Sequence, residues 1–195
     1  MKRRIALLVW GLVVEVALLA GCSAAGEGSA APSAGAGVGS KERRQLSPLV
    51  EHPRDIRAYG DKPCDLFTTA QLKTLGFDLP PHSTDTLPSG HKVCVWIDSG
   101  RNGELAATTY SDWDILERTY ANRAALPVFD PLQIAGMPAV VHQPGAVPTC
   151  DVTVGLAQRQ GLNVSFTDLR APYEDPCGAA RAVAEVAVGN LPPLG

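Results

Sequence analysis

The sequence has few aromatic residues and no excess of positive charge. Aromatic side chains make up 6% of the 195 residues, and 17 Lys and Arg stand against 20 Asp and Glu. Binding of nucleic acid needs clustered cations that release phosphate counterions, and single strands also need aromatic platforms for base stacking. The composition therefore predicts that the protein does not bind nucleic acid.

The sequence also lacks three short motifs that are typical of catalytic and metal sites. It contains no G-x-S-x-G nucleophile elbow, no H-E-x-x-H motif and no C-x-x-C pair. Zinc sites and thiol redox sites need such close-paired ligands, whereas His52, His82, His91 and His142 stand far apart. We therefore predict no catalytic, cofactor-binding or metal-binding residues, and a protein that is not an enzyme.

The N-terminus is built like a bacterial export signal. Three basic residues at positions 2–4 precede an apolar run over residues 5–20, which Glu15 interrupts. The run is shorter than the roughly 20 residues that a membrane-spanning helix needs. Leu19-Ala20-Gly21-Cys22 then resembles the bacterial lipobox, in which small residues precede the cleavage point and the cysteine thiol receives diacylglycerol. An uncleaved anchor and secretion without lipid are the alternatives.

This pattern predicts a lipid-anchored protein on the extracytoplasmic face of the cell membrane. One acyl chain binds a bilayer only marginally, so stable anchoring needs two signals. Diacylglycerol on Cys22 together with an N-linked acyl chain such as palmitate meets that requirement. The first predicted partner is therefore the lipid bilayer, which the protein contacts through acylated Cys22.

Composition divides the chain into three regions. Residues 1–21 form the signal peptide, residues 22–58 the lipidated cysteine and a flexible tether, and residues 59–195 a single domain. Residues 23–40 consist almost entirely of Gly, Ser, Ala and Pro, which is typical of flexible coil. Residues 41–57 carry five basic and three acidic side chains. This favours a solvated linker over weak attraction to anionic headgroups, which is the alternative.

The domain alternates helix and strand signals. Thr68 and Gln71 have capping-box spacing, Ser111 precedes a helix predicted over residues 112–125, and Asp175-Pro176 opens the last helix. Trp113, Leu116, Tyr120 and Ala124 fall on one face of the middle helix, and we expect that face in the core. Strands are predicted at residues 93–97, 104–110, 139–141, 150–156 and 162–166. Because two pairs of these strands form hairpins, we expect an α+β fold in which helices cover an antiparallel sheet.

Four cysteines follow Cys22, an even number for an exported domain. Three pairings are possible. We favour Cys64–Cys94 and Cys150–Cys177, because each then joins a helix entry to a strand. Each such bridge stabilises by roughly 3 kcal/mol in the chain-entropy model.

These segments resemble the domain of unknown function 3558 family of actinobacterial lipoproteins. The resemblance rests on residues 63–72, Cys94-Val95-Trp96, residues 150–154 and Asp175-Pro176-Cys177. It implies a lipid-anchored envelope protein without an assigned activity. The order of elements is also similar to the sandwich of PsbP-like and Mog1-like proteins, a fold-level analogy that favours binding.

Two functions remain open from the sequence. The first is a non-catalytic envelope module that binds a protein partner or an apolar ligand between sheet and helices. It predicts a cleft without convergent ionisable groups. The second is an extracytoplasmic hydrolase that acts on cell wall or lipid. It predicts a cleft in which Ser or Asp meets a His with a perturbed pKa.

Overall fold

A computed structural model describes residues 44–98, 100, 103–145, 148–169 and 175–195. The predicted signal peptide, lipidation site Cys22 and Gly/Ala/Ser-rich segment lie outside these residues. None of the helices in the described ranges is long and apolar enough to cross a membrane. The helices are α1 (Thr69–Thr74), α2 (Ile115–Ala121) and α3 (Pro176–Asn190), and the strands are β1 (Ser83–Thr86), β2 (Lys92–Asp98), β3 (Gly103–Tyr110), β4 (Val128–Ile134), β5 (Met137–Gln143), β6 (Thr149–Ala157) and β7 (Gln160–Asp168).

The seven strands form one sheet in the order β1-β2-β3-β7-β6-β5-β4, and every neighbouring pair is antiparallel. The prediction of an α+β fold with an antiparallel sheet is confirmed. The two edge strands, β1 and β4, did not appear in the sequence pattern. β1 contains only Ser, Thr and Asp, and β4 carries Pro131, a residue that strands tolerate mainly at an edge.

One face of the sheet packs on α3 and forms the main core. Alternate residues of the central strands point to this side, among them the fully buried Trp96, Leu105 and Phe166. Helix α3 begins at the predicted place, where the side chain of Asp175 accepts from the backbone N–H of Gly178 and proline occupies the first helical position. Its buried face is Ala180, Val183, Ala184, Ala187 and Val188.

The other face of the sheet carries the short helix α2. The prediction of a helix over residues 112–125 with Ser111 as its cap is wrong at both ends. Asp114 is the N-cap, because its carboxylate accepts from the backbone N–H of Glu117, and the helix stops at Ala121. Only Leu116 of the predicted apolar stripe is fully buried, and Ala124 is exposed.

Two glycines let α2 approach the sheet closely. A Cβ atom on Gly155 would lie 2.7 Å from Cδ2 of Leu116, and one on Gly161 would collide with Cγ2 of Ile115. Both glycines lie near the turn that joins β6 to β7. Any larger residue there would push the helix outward.

Two disulfides connect strands of the sheet to segments that pack on it. Cys64 lies in a short 3₁₀ turn, Pro63–Leu66, and is bonded to Cys94 on β2. Cys150 on β6 is bonded to Cys177 in the first turn of α3. The prediction of Cys64–Cys94 and Cys150–Cys177 is confirmed.

The domain begins earlier in the chain than residue 59. Ile56 is fully buried, and its backbone N–H donates to Oε1 of Gln160 at 2.9 Å. The N–H of Arg54 donates to the carbonyl of Leu156 at 2.8 Å, and its side chain donates to the carbonyl of Leu191. For its described part, residues 44–58, the prediction of a free tether is therefore wrong. These residues hold backbone partners and apolar contacts that composition alone does not reveal.

Candidate functional site

The N-terminal segment of the described chain forms one wall of a cavity beside α2. We call residues 44–50 the strap, and the space between the strap, the start of α2 and the β6–β7 turn the α2 cavity. Its volume is about 350 Å³, which lies in the range of small-molecule sites. Its lining consists of Gln45, Ser47, Pro48, Leu49, Val50, Pro53, Asp114, Leu116, Gly155, Ala157, Gln158 and Leu194.

A single side chain of α2 holds the strap in place. The carboxylate of Glu117 accepts from the backbone N–H of Leu46 at 3.0 Å and from that of Ser47 at 2.8 Å. Hydrogen bonds to a charged acceptor are stronger than those between neutral groups. The half-buried Val50 then packs against the main core, so the strap is fixed at both ends.

The chemistry of the α2 cavity is predominantly apolar. Leu49, Val50, Leu116, Ala157 and Leu194 provide most of its hydrophobic wall. Among the described residues that line it, Asp114 alone is ionisable, and this carboxylate is engaged as the N-cap of α2. The cavity thus offers apolar contact and a few uncharged polar groups, but no pair of groups that could exchange a proton with a ligand.

A second unusual feature is a polar row on the sheet face that carries α2. His142, Asp151 and Ser165 are aligned across β5, β6 and β7, and Thr153 and Asn163 are paired beside them. Nε2 of His142 lies 2.9 Å from Oγ1 of Thr153, which donates to Oδ1 of Asn163 at 2.8 Å. His142, Asp151 and Thr153 are all buried.

Burial shifts both titratable groups of this row toward their neutral forms. Desolvation raises the pKa of Asp151, although hydrogen bonds from Ser165 and Asn163 and the charge of His142 act in the opposite direction. Desolvation also lowers the pKa of His142, against the attraction of Asp151. The row therefore favours a neutral imidazole.

The polar row does not have the geometry of a nucleophile and its base. Because Thr153 donates to Asn163, it accepts from His142 Nε2–H, and the basic nitrogen of the imidazole is then Nδ1. Nδ1 faces the carboxylate of Asp151 at 3.9 Å rather than a hydroxyl. In a catalytic triad the base nitrogen faces the nucleophile. Thr153 is also only 1% exposed, too little for contact with a substrate.

The remaining histidines occupy separate places on the domain surface. His52 and His82 are exposed. Nε2–H of His91 donates to Oδ1 of Asp112 at 3.0 Å, and the ring packs on those of Tyr110 and Trp113. Within the described ranges, no three His, Cys, Asp or Glu side chains come together in a way that could hold a metal ion.

Ser89 and Lys92 have the S-x-x-K spacing that certain acyl-transfer enzymes use. Here Ser89 lies in a turn and Lys92 at the start of β2. The Lys92 ammonium donates to Thr86 Oγ1 at 2.7 Å. The pair thus lacks the helical turn that would bring the ammonium to the serine.

Sequence reasoning did not identify either feature. The α2 cavity is assembled from the strap, α2, the β6–β7 turn and the C-terminus, so no local pattern marks it. His142 and Asp151 are nine residues apart, and only the register of β5 and β6 brings them opposite each other. Within residues 150–156, Asp151 and Thr153 alternate with Val152 and Val154, and this alternation is the signal that places Asp151 and Thr153 on one side of the strand.

Comparison with known proteins gives one match. A family described as "Protein of unknown function (DUF3558)" matches residues 17–190. Neither the curated proteins nor the solved structures contain a significant match. The analogy to the PsbP-like and Mog1-like sandwich thus stays a prediction.

Proposed function

The chain belongs to the DUF3558 family of uncharacterised proteins, and from that premise we propose that it is a lipid-anchored extracytoplasmic protein whose domain binds an apolar ligand in the α2 cavity without catalysing a reaction. The anchoring part rests on the lipobox-like Leu19-Ala20-Gly21-Cys22. The two disulfides agree with it, because structural disulfides persist mainly in oxidising compartments.

One observation carries the binding part: the α2 cavity has an apolar wall, and its only ionisable group is already engaged. Apolar cavities with a few polar groups at the rim bind ligands through burial of apolar surface. Gln158 adds a polar side chain to the lining that could orient a ligand, whereas Nε2 of Gln45 donates to Oγ of Ser47 at 3.4 Å. A catalytic cleft would instead need a nucleophile or an acid–base pair directed at the bound molecule.

The rival function, a hydrolase, depends on the polar row. A buried His beside a carboxyl with a raised pKa is the kind of pair that active sites contain. However, the basic nitrogen of His142 faces Asp151, and the neighbouring hydroxyl of Thr153 is buried. We therefore interpret the row as a structural hydrogen-bond network.

The binding proposal is tested with N-phenyl-1-naphthylamine, an uncharged apolar fluorophore. Ala157 is 5% exposed and lines the α2 cavity, so Ala157→Leu adds a side chain to that space. The matched control is Ala125→Leu, at an exposed position that does not line the cavity. Circular dichroism verifies that both mature proteins fold.

We expect enhanced fluorescence with the wild type and the control, and binding about tenfold weaker with Ala157→Leu, since each 1.4 kcal/mol of lost contact changes affinity about tenfold. Equal fluorescence with both variants would place the fluorophore elsewhere and overturn the proposal. Turnover of an envelope ester or glycan by the wild type, lost in His142→Gln, would establish the hydrolase instead.

A further inference from the structure

The strap exposes two leucines on one short segment. Leu46 is 55% exposed and Leu49 is 75% exposed. The other large hydrophobic side chains that are exposed in the described ranges, Leu79, Val128 and Leu169, are separated along the chain and less exposed than either. Single exposed apolar residues are common on protein surfaces. A pair held within four residues on a fixed segment is more informative.

Two arginines and one glutamate lie beside the first of these leucines. Arg44, Leu46 and Arg118 line a shallow depression of about 270 Å³ on the outer side of α2, together with Glu117. The Glu117 carboxylate accepts the N–H groups of the strap. The guanidinium of Arg118 lies 4.5 Å over the ring of Trp113. In the sequence, Lys41, Glu42 and Arg43 directly precede Arg44.

The strap is also where the chain from the proposed anchor enters the domain. Arg44 follows Cys22 by 22 residues, and a chain of that length spans at most about 75 Å even when fully extended. If Cys22 carries lipid, as the proposed function holds, the strap is the part of the domain that the anchor connection reaches first. A surface held that close encounters the bilayer at a high effective concentration.

From these three observations we propose that the strap is a membrane-docking surface, on which Arg44 and Arg118 bind the phosphate of anionic phospholipids while Leu46 and Leu49 enter the lipid interface. Guanidinium groups bind phosphate through paired N–H donors. Apolar side chains beside cations are the usual composition of interfacial contacts. The inference rests on the proposed anchoring and adds which surface of the domain faces the bilayer.

Docking in this orientation would also place the α2 cavity beside the membrane. Leu49 belongs to both the docking surface and the cavity wall, so docking would bring that wall next to the acyl chains. An apolar ligand could then pass between the bilayer and the cavity without crossing water. The overall negative charge of the protein, −3 from the whole sequence, disfavours contact of its other surfaces with an anionic membrane.

The test places an environment-sensitive nitrobenzoxadiazole label at Leu49→Cys in the mature lipidated protein. Leu79→Cys carries the same label as a matched control, because Leu79 is also an exposed leucine. Vesicles contain phosphatidylcholine and phosphatidylglycerol at about 3:1, a mixture that supplies anionic surface charge, with a nitroxide-labelled lipid as quencher. Flotation first separates membrane-bound protein from free protein.

We expect the label at position 49, but not the label at position 79, to gain about twofold or more in fluorescence and to be quenched by the nitroxide lipid, as interfacial burial predicts. Arg44→Gln combined with Arg118→Gln should remove most of this response. Equal responses at positions 49 and 79 would overturn the inference. A response that rises with protein concentration in the absence of vesicles would also overturn it and would point to a second copy of the chain.

Failure of the anchor gives a different result from failure of the docking surface. If Cys22 carries no lipid, the proposed anchoring fails, and any flotation depends on the docking surface alone. The fluorescence of the label is then measured after excess vesicles are added to the unlipidated protein. If the strap is a docking surface, the label at position 49 still gains fluorescence and is still quenched. If the protein floats but that label stays in water, the anchor is correct and the docking surface is wrong.

Discussion

His142 and Asp151 lie directly opposite each other on β5 and β6, with Nδ1 of the imidazole 3.9 Å from Oδ2 of the carboxylate. Both side chains are buried, and both Nδ1 of His142 and Oδ1 of Asp151 lack a hydrogen-bond partner. Buried polar atoms are normally paired. The contribution of this pair to stability should therefore depend on pH.

The His142 pKa is lowered by burial, which fixes the sign of one pH effect. Below about pH 6.5, the usual value for histidine, the unfolded chain binds a proton that the folded imidazole resists, so acidification favours unfolding. His142→Gln can still donate to Thr153 but does not titrate. Between pH 7.5 and 5.5 the wild type should lose more stability than this variant, by up to about 1.4 kcal/mol per pH unit.

Urea unfolding at several pH values measures the free energy of unfolding of both proteins. An equal change of this free energy with pH in the wild type and in His142→Gln would contradict the prediction.

The Asp151 pKa is raised by burial, so its effect on stability has the opposite sign. The cost of its ionised form is present above its folded pKa and disappears as the pH falls toward its ordinary value. Asp151→Asn should therefore be more stable than the wild type near neutral pH.

The close contact of α2 with the sheet predicts a large effect of one methyl group. In Gly161→Ala the new Cβ would collide with Ile115 and lie 2.9 Å from the carbonyl oxygen of Val154. We expect a loss of about 1–3 kcal/mol, typical of overpacking. Gly145→Ala, where nothing lies within 4 Å, should change stability by less than about 0.5 kcal/mol. Thermal unfolding compares them, and equal melting temperatures would show that α2 is not held as described.

The two disulfides should contribute similar amounts to stability. Their cysteines are separated by 30 and 27 residues, and in the chain-entropy model a loop of this length is worth about 3–4 kcal/mol. Denaturant unfolding of Cys64→Ala with Cys94→Ala, and separately of Cys150→Ala with Cys177→Ala, measures each contribution. A loss below about 1 kcal/mol for either pair would contradict this account of the bridges.

Glu117 is expected to keep the strap in place. Without its carboxylate, the backbone N–H groups of Leu46 and Ser47 lose their acceptor. Hydrogen bonds to charged groups contribute about 1.5–3 kcal/mol, so Glu117→Ala should speed hydrogen exchange of these amides by roughly tenfold to a hundredfold. Glu185→Ala, at an exposed position on α3, is the control. Unchanged exchange in Glu117→Ala would mean that other contacts fix the strap.

Local chemistry explains which parts of the fold the sequence could predict. The capping box of Thr68 and Gln71 and the Asp175-Pro176 start are complete within a few residues, and both occur as expected. The central strands alternate clearly because one face is buried in the core. β1 and β4 lack that alternation because they are edge strands, which backbone hydrogen bonds hold in the sheet. Ser111 and Asp114 both suit a helix cap, and Asp114 caps the helix that packs closely on Gly155 and Gly161.

The candidate site was harder to predict because it depends on contacts between distant segments. The strap has the composition of a linker, and its place is set by Glu117, some 70 residues further along the chain. The cysteine pairing could be predicted from the sequence, because an even number of cysteines at helix entries and in strands reduces the number of plausible pairings. The α2 cavity has no equivalent marker in the sequence.

The most direct test of the account is mass spectrometry of the native protein's N-terminal peptide. The account predicts that the mature chain begins at Cys22 and carries diacylglycerol and an N-linked acyl chain, and that Cys22→Ala releases the protein from the membrane fraction. A chain that begins at Met1, or an unmodified Cys22 in membrane-bound protein, would contradict it.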